Sequence, residues 1–281
     1  MNSPHRRPTT PLRGATTPMR IQLLTFFVAA FLISWVAWIP AFLAPSASSA
    51  VAFIGLFAPA LAALSTAAIY GGPSSAREIL RRLAIARFPI GWALFSALIM
   101  PAIYLMAIAA LRILKSSETG SLFSGNSPLF VAMSFVWLLF VTSGEEIGWR
   151  GYALPRILEQ TEHPVFASLG LGFLWGIWHL PLYLIPGQSA FPLPLFLLFT
   201  SLQSILYTVV FIQTRGSLLP ALLLHAGTDV APRIFKIVHF PPSFWIIVDL
   251  TVGVLVLILL IALRTRLRNV EHWRSAIQVP D

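Results

Sequence analysis

The stretch VAMSFVWLLFVTSGEEIGWRGYALP, residues 131–155, decides the fold class of this chain. It begins as an apolar run suited to a membrane span and ends on two adjacent carboxylates, Glu145 and Glu146, with Arg150 four residues after the second. A charged side chain at the centre of a membrane helix costs about 2.5–3.5 kcal/mol on insertion scales. Folding alone gives no reason to keep this pair, so we take it as a candidate functional site.

The composition indicates a membrane protein. Of 281 residues, 57% are hydrophobic and 10% are charged, whereas soluble chains carry about 25% charged residues. We therefore predict an all-α, polytopic protein embedded in a lipid bilayer. The chain has no cysteine, which excludes disulfides, thiolate metal sites and a cysteine nucleophile. The net charge of +9 is spread between apolar runs and carries no motif for reading bases, so we expect no nucleic-acid partner.

Eight stretches come close to the roughly 20 mainly apolar residues that a membrane-spanning helix needs. They are residues 21–43, 51–70, 90–113, 127–145, 165–185, 193–212, 217–238 and 244–263. The sequence thus predicts a bundle of about eight transmembrane helices over residues 21–263. Residues 1–20 are predicted to be a disordered basic N-terminal tail, with a targeting arm as the alternative. Residues 264–281 are predicted to be a basic cytoplasmic C-terminal tail.

The arginines indicate how the bundle is oriented. Most of them lie in the two tails and in alternate loops, and loops on the cytoplasmic side carry the excess of Lys and Arg. We expect both termini to be cytoplasmic. Arg233, Lys236 and Asp249 lie nearer the other ends of the last two predicted spans, where long charged side chains reach the interface. We assign them no chemistry.

Polar side chains recur on three of the predicted helices. They are the Glu145–Glu146 pair, His179 in FLWGIWHLP, and His225 with Asp229 in HAGTD. Residues four apart share a helix face, so His225 points the same way as Asp229, and Glu146 the same way as Arg150. Adjacent residues diverge by about 100°. We therefore expect Glu146 to pair with Arg150 and Glu145 to face a cavity, where a carboxylate suits a general base. The exchange of these two roles is the alternative that the sequence leaves open.

These residues resemble the motifs of the CPBP (CAAX protease and bacteriocin-processing, Abi) family of intramembrane endopeptidases. The first motif, two Glu and an Arg, is met by residues 145–150. The second, an aromatic residue four positions before a His, is met by residues 175–179. The third, a His four positions before an Asn or Asp, is met by residues 225–229. Two positions depart from the usual pattern, because Trp175 stands where Phe is usual and Asp229 where Asn is commoner.

The resemblance implies hydrolysis of peptide bonds in membrane-associated or prenylated-type peptides, by an eight-helix protease domain. It implies that Glu145 and His179 activate water, that His225 and Asp229 stabilise the oxyanion or orient the water, and that Glu146 belongs to the same catalytic set. Arg150 and Trp175 would be supporting residues of this catalytic set.

Several alternatives remain open at the level of sequence. Glu145, His179 and His225 could hold a catalytic zinc ion with a position left for water, so the cofactor stays undecided between none and zinc. A non-catalytic membrane partner of the same fold and a proton-coupled transporter are the competing functions. We expect a multi-pass protein of a prokaryotic plasma membrane, and the sequence does not define its oligomeric state.

Overall fold

The computed structural model describes residues 17–43, 53–114, 123–161, 163–184, 191–235 and 240–278. Over these ranges the protein is all-α, as predicted, and its only extended pairing is one isolated bridge between Phe123 and Phe235. Lys236 and nearly all of the predicted N-terminal tail lie outside the described residues. The α-helices are α1 Met19–Leu43, α2 Ala58–Arg81, α3 Ile90–Ile113, α4 Pro128–Glu146, α5 Leu154–Gln160, α6 Pro164–Trp178, α7 Leu180–Leu184, α8 Leu193–Gln213, α9 Leu219–Ile234, α10 Pro242–Ala262, α11 Arg264–Arg268 and α12 Val270–Ile277.

Each of the eight predicted stretches contains a helix. Within the described ranges, five helical runs are long and apolar enough to cross a membrane, namely Met19–Pro40, Ile90–Ile113, Pro128–Gln160, Leu193–Gln213 and Pro242–Ala262. The protein is therefore a multi-pass membrane protein, and the count of eight spans stays a prediction. The predicted C-terminal tail contains α11 and α12, and α12 buries Trp273 where it packs on α8 and α5.

The second helix differs most from its predicted bounds. The predicted span ends at residue 70, whereas α2 continues to Arg81. Gly72 interrupts it with a φ of 76°, a conformation that favours glycine. Pro73 then begins a new helical segment, because proline fits the first turn of a helix, where its missing N–H is not needed. The kink therefore separates the apolar part of α2 from the arginine-containing part.

Small residues let the helices around the polar residues approach one another closely. A Cβ atom on Gly148 would lie 2.7 Å from the carbonyl carbon of Pro59 in α2, and one on Gly227 in α9 would lie 2.7 Å from the carbonyl oxygen of Ala97 in α3. Such contacts are typical of helix packing in membranes, where van der Waals contact drives association. α9 lies against α3 and α4, and α6 lies along α8. This packing brings the three motif-bearing helices together.

Candidate active site

Three helices deliver the predicted site residues to one place. Glu145 and Glu146 are the last two residues of α4, His179 immediately follows α6, and His225 lies on the buried face of α9. Glu145 is 4% exposed, Glu146 0% and His225 4%. Charged groups in so apolar a setting need partners, since burial removes their hydration. Neighbouring polar and aromatic side chains supply these partners.

The segment after the glutamates is π-helical over Ile147–Ala153. The N–H of Leu154 donates to the carbonyl of Trp149, five residues back, instead of the four of an α-helix. π-Helical turns occur mostly as short insertions within α-helices and often at functional sites. Arg150 lies in this segment and is 1% exposed. The local backbone thus holds the arginine inside the bundle rather than at its surface.

Glu146 joins two elements through one oxygen. Its Oε1 accepts a hydrogen bond from Arg150 Nη1 at 2.9 Å and another from His225 Nδ1 at 2.8 Å. The predicted Glu146–Arg150 pair is present. The contact with His225 was not predicted, since that imidazole was grouped with Glu145 and His179 in the candidate zinc site. Glu146 therefore connects the arginine to the α9 histidine.

Glu145 lies against the second motif. Trp175 Nε1 donates to Glu145 Oε2 at 2.6 Å, and His179 Nε2 lies 3.8 Å from the same oxygen. The indole N–H that distinguishes Trp175 from the more usual Phe thus has a carboxylate partner, as a buried indole requires. The 3.8 Å separation is too long for a direct hydrogen bond. Glu145 is therefore oriented by the indole and remains available toward His179.

The hydrogen bonds of the two imidazoles fix their tautomers. His179 Nδ1 lies 2.9 Å from the backbone carbonyl of Trp175, and a carbonyl can only accept, so Nδ1 carries the proton. His225 Nδ1 is likewise the donor toward the Glu146 carboxylate. In the neutral ring of His179, Nε2 is then an unprotonated acceptor. His179 Nε2 faces Glu145, and His225 Nε2 lies 3.8 Å from Asp229 Oδ2.

Aromatic rings enclose Arg150. Its guanidinium lies 3.8 Å from the ring centre of Tyr207 in α8 and 4.5 Å from that of Trp175. A guanidinium over an aromatic face is attracted by the ring quadrupole, more strongly when water is excluded. Tyr207 is a site residue that the sequence did not reveal, because it belongs to none of the motifs and its helix carries no charged residue in that region.

A zinc ligand set is not formed by these side chains as they stand. The described part of the chain contains no group of three His, Asp or Glu side chains arranged to hold a metal ion. Nδ1 of each histidine has another partner and leaves Nε2 as the possible ligand atom, but the two Nε2 atoms and an oxygen of Glu145, whose Oε2 accepts from Trp175, are not gathered in such a group. The predicted set of Glu145, His179 and His225 therefore does not fit a metal in this arrangement, and we derive no step through one.

A cavity reaches the site from the end of the bundle where α9 finishes. Its volume is about 460 Å³, and its wall includes Asp229 and Arg233 of α9 among aromatic residues of several helices. The Asp229 side chain is 41% exposed, in contrast to the buried His225 beside it. Asp229 is thus the predicted site residue that an entering molecule would contact first.

Fold and site together define an all-α multi-pass membrane protein with a buried carboxylate and imidazole cluster. Residues 127–231 match the family described as Type II CAAX prenyl endopeptidase Rce1-like, a range that contains all three motifs. The chain is also 34% identical over 140 residues to CAAX prenyl protease 2 of Methanococcus maripaludis. That match covers 46% of this chain and 51% of the relative, so it spans about half the relative's length. The resemblance to the CPBP family is confirmed.

Proposed function

We propose that this protein is an intramembrane endopeptidase that hydrolyses membrane-associated peptides of the prenylated type. The observation that carries the proposal is the gap of 3.8 Å between Glu145 Oε2 and His179 Nε2. With Nδ1 of His179 protonated, both atoms are hydrogen-bond acceptors. One water molecule fits between two atoms at this separation within hydrogen-bonding distance of each. The similarity to a CAAX prenyl protease supports the choice of substrate class.

The proposed reaction begins with that water molecule. It donates one O–H to Glu145 and the other to His179, and its oxygen attacks the carbonyl carbon of the scissile peptide bond. Glu145 takes the proton as the new C–O bond forms, which gives a tetrahedral oxyanion. The carboxyl group then returns the proton to the leaving nitrogen as the C–N bond breaks. General base and acid catalysis of this kind contributes roughly 10²–10⁴-fold to a rate.

The second imidazole would act on the oxyanion. In the proposed reaction His225 is an imidazolium, whose Nε2–H donates to the negative oxygen. The Glu146 carboxylate, 2.8 Å from Nδ1, orients the ring and stabilises its charge, as second partners of catalytic histidines do. Arg150 in turn holds Glu146. Asp229, 3.8 Å from Nε2, helps to orient the ring or the water.

Cleavage of a defined peptide tests the proposal. The protein, reconstituted in liposomes, should cleave a farnesylated peptide. Glu145→Gln and His179→Ala should each reduce cleavage by at least about a hundredfold, while both variants still fold. Glu159→Gln is the matched control, because Glu159 is an exposed carboxylate on α5, in the same helical run. If the wild type and the two site variants cleave equally, the catalytic assignment is wrong. If none cleaves, a non-catalytic membrane partner becomes the better interpretation.

Zinc is a separate proposal with a separate measurement. Should the side chains rearrange to hold the ion, the purified protein would contain about one zinc per chain by elemental analysis. The His179→Ala and His225→Ala variants would then lose it. Equal metal content in all three proteins would contradict the ligand set.

We further propose that both termini lie on the cytoplasmic side of a prokaryotic plasma membrane. The arginines of the tails and of alternate loops support this orientation. A tag at either terminus should resist protease added outside intact spheroplasts and become cleavable after the cells are lysed. Cleavage of either tag in intact spheroplasts would contradict it.

A further inference from the structure

Arg233 is a charged residue that the proposed reaction does not use. It lies in the last turn of α9, where a long side chain reaching the membrane interface is the simplest expectation. In the structure it instead lines the same cavity as Asp229. Its Nη1 donates to the backbone carbonyl of Asp229 at 2.7 Å. This hydrogen bond therefore holds the guanidinium against its own helix, toward the site.

The end of α9 that carries Arg233 is held in place by the chain before α4. Asn126 Nδ2 donates to the Arg233 carbonyl at 2.9 Å, and Ser124 Oγ donates to the same carbonyl. The Ser124 N–H donates to the carbonyl of Ile234 at 2.9 Å. These bonds satisfy carbonyls that a helix end leaves without partners. Arg233 thus projects from a fixed backbone rather than from a frayed terminus.

The guanidinium makes no ion pair with a described carboxylate. Among the described residues no carboxylate oxygen lies within the 4.0 Å limit of an ion pair with Arg233. The carboxylate one turn before it, that of Asp229, lies near His225 Nε2. A guanidinium has five N–H donors in a planar fork that matches a carboxylate. Arg233 therefore retains donors for an anionic group that enters the cavity.

The rest of the wall is suited to apolar side chains. Seven of the described residues that line it are aromatic, and they come from several parts of the chain: Phe53, Tyr104, Trp137, Phe191, Phe196, Phe199 and Trp245. Among the described residues that line the cavity, Arg233 is the only basic one. A volume of about 460 Å³ lies within the range of small-ligand sites, which are mainly apolar with a few polar groups that fix orientation. The cavity fits a short apolar segment with one negative end.

We propose that Arg233 binds the C-terminal carboxylate of the substrate peptide. The aromatic residues of the cavity wall contact the last apolar side chains of the peptide, and Asp229 lies on the side of the cavity toward the reacting bond. This assignment rests on the proposed peptidase function and makes Arg233 a specificity-determining residue. The expected substrate is cleaved close to its own C-terminus. A C-terminal amide, which carries no charge, should be a poorer substrate than the free acid.

Paired substrates test the assignment. A farnesylated peptide with three aliphatic residues after the modified cysteine would be offered as the free acid and as the C-terminal amide. For the wild type, kcat/KM for the acid should exceed that for the amide by about ten- to a hundredfold, the loss expected for one charge-assisted hydrogen bond. Arg233→Gln should remove that difference, mainly by raising KM for the acid. Arg233→Lys should restore part of it.

Arg112→Gln is the matched control, because it removes an exposed arginine from the last turn of α3 outside the cavity wall. It should preserve the preference for the acid. Equal use of acid and amide by the wild type would overturn the role of Arg233 and leave the peptidase function standing. So would an equal loss of both substrates in Arg233→Gln.

Peptide binding is measured in parallel, so that the role of Arg233 can be tested even if the protein has no peptidase activity. The three-residue apolar peptide, as acid and as amide, would be titrated into the reconstituted protein and its binding followed by tryptophan fluorescence. At least tenfold tighter binding of the acid, lost in Arg233→Gln, would support the site even if no peptide is cleaved. The proposed function would then be wrong, and the carboxylate site would stand. Equal binding of the two forms would overturn the site.

Discussion

Replacing Arg150 by alanine should destabilise the protein severely. Arg150 is 1% exposed and Glu146 0%, and the two are joined at 2.9 Å. Removing one partner of a buried pair leaves an uncompensated charge and typically costs about 3–5 kcal/mol. Loss of the contact with the Tyr207 ring, 3.8 Å away, acts in the same direction. We therefore expect Arg150→Ala to lower the free energy of unfolding by about 3–5 kcal/mol.

Arg156→Ala is the control for this prediction. Arg156 also lies 3.8 Å from a ring, that of Tyr152, and donates to the backbone carbonyl of Tyr152, but no described carboxylate lies within 4.0 Å of it. Arg156→Ala should lower the free energy of unfolding by about 1–2 kcal/mol. Unfolding of each variant would be followed by circular dichroism during titration of mixed micelles with sodium dodecyl sulfate. Equal losses in the two variants would refute the reasoning from buried charge.

Three further changes have expected results of different kinds. Glu145→Gln should reduce kcat by about 10²–10⁴-fold in the liposome cleavage assay with an unchanged melting temperature, because the amide oxygen can still accept the Trp175 N–H. Gly148→Ala should lower the free energy of unfolding by about 1–3 kcal/mol in the same micelle titration, since its Cβ would lie 2.7 Å from the Pro59 carbonyl. Gly170→Ala is the control, because a Cβ there would have no atom within 4 Å, and it should be neutral or slightly stabilising. Equal effects of the two changes would contradict the argument from close packing. Asp249→Leu should raise the melting temperature, because Asp249 is 4% exposed and both its carboxylate oxygens lack a hydrogen-bond partner in the described structure. A lower melting temperature would mean that the carboxylate stabilises the fold.

The sequence predicted the parts of the fold and site that depend on one helix at a time. Apolar runs gave the positions of the helices, because length and hydropathy are properties of each segment. The Glu146–Arg150 pair could be predicted from the four-residue spacing on one helix face. Both predictions needed no knowledge of how the helices pack. Both are found in the structure.

Contacts between helices could not be predicted in the same way. The bond from His225 to Glu146 depends on the rotation and depth of α9 relative to α4, which no spacing along the chain defines. The enclosure of Arg150 by Tyr207 depends on α8 in the same manner. Asp249 was expected to reach the interface and is buried instead. Arg233 was also assigned to the interface, because position along a helix does not show which side chains border a cavity.

The π-helical segment makes the site sensitive to chain length. An α-helix that gains one residue can accommodate it as a π turn, with five-residue instead of four-residue hydrogen bonds. Loss of one residue from Ile147–Ala153 could restore a continuous α-helix, but it would rotate the downstream residues by about 100° relative to Glu145 and Glu146. Relatives that keep every motif residue yet differ by one position in this segment would therefore present Arg150 to a different neighbour. The number of residues between the motifs is as much a part of this site as their identity.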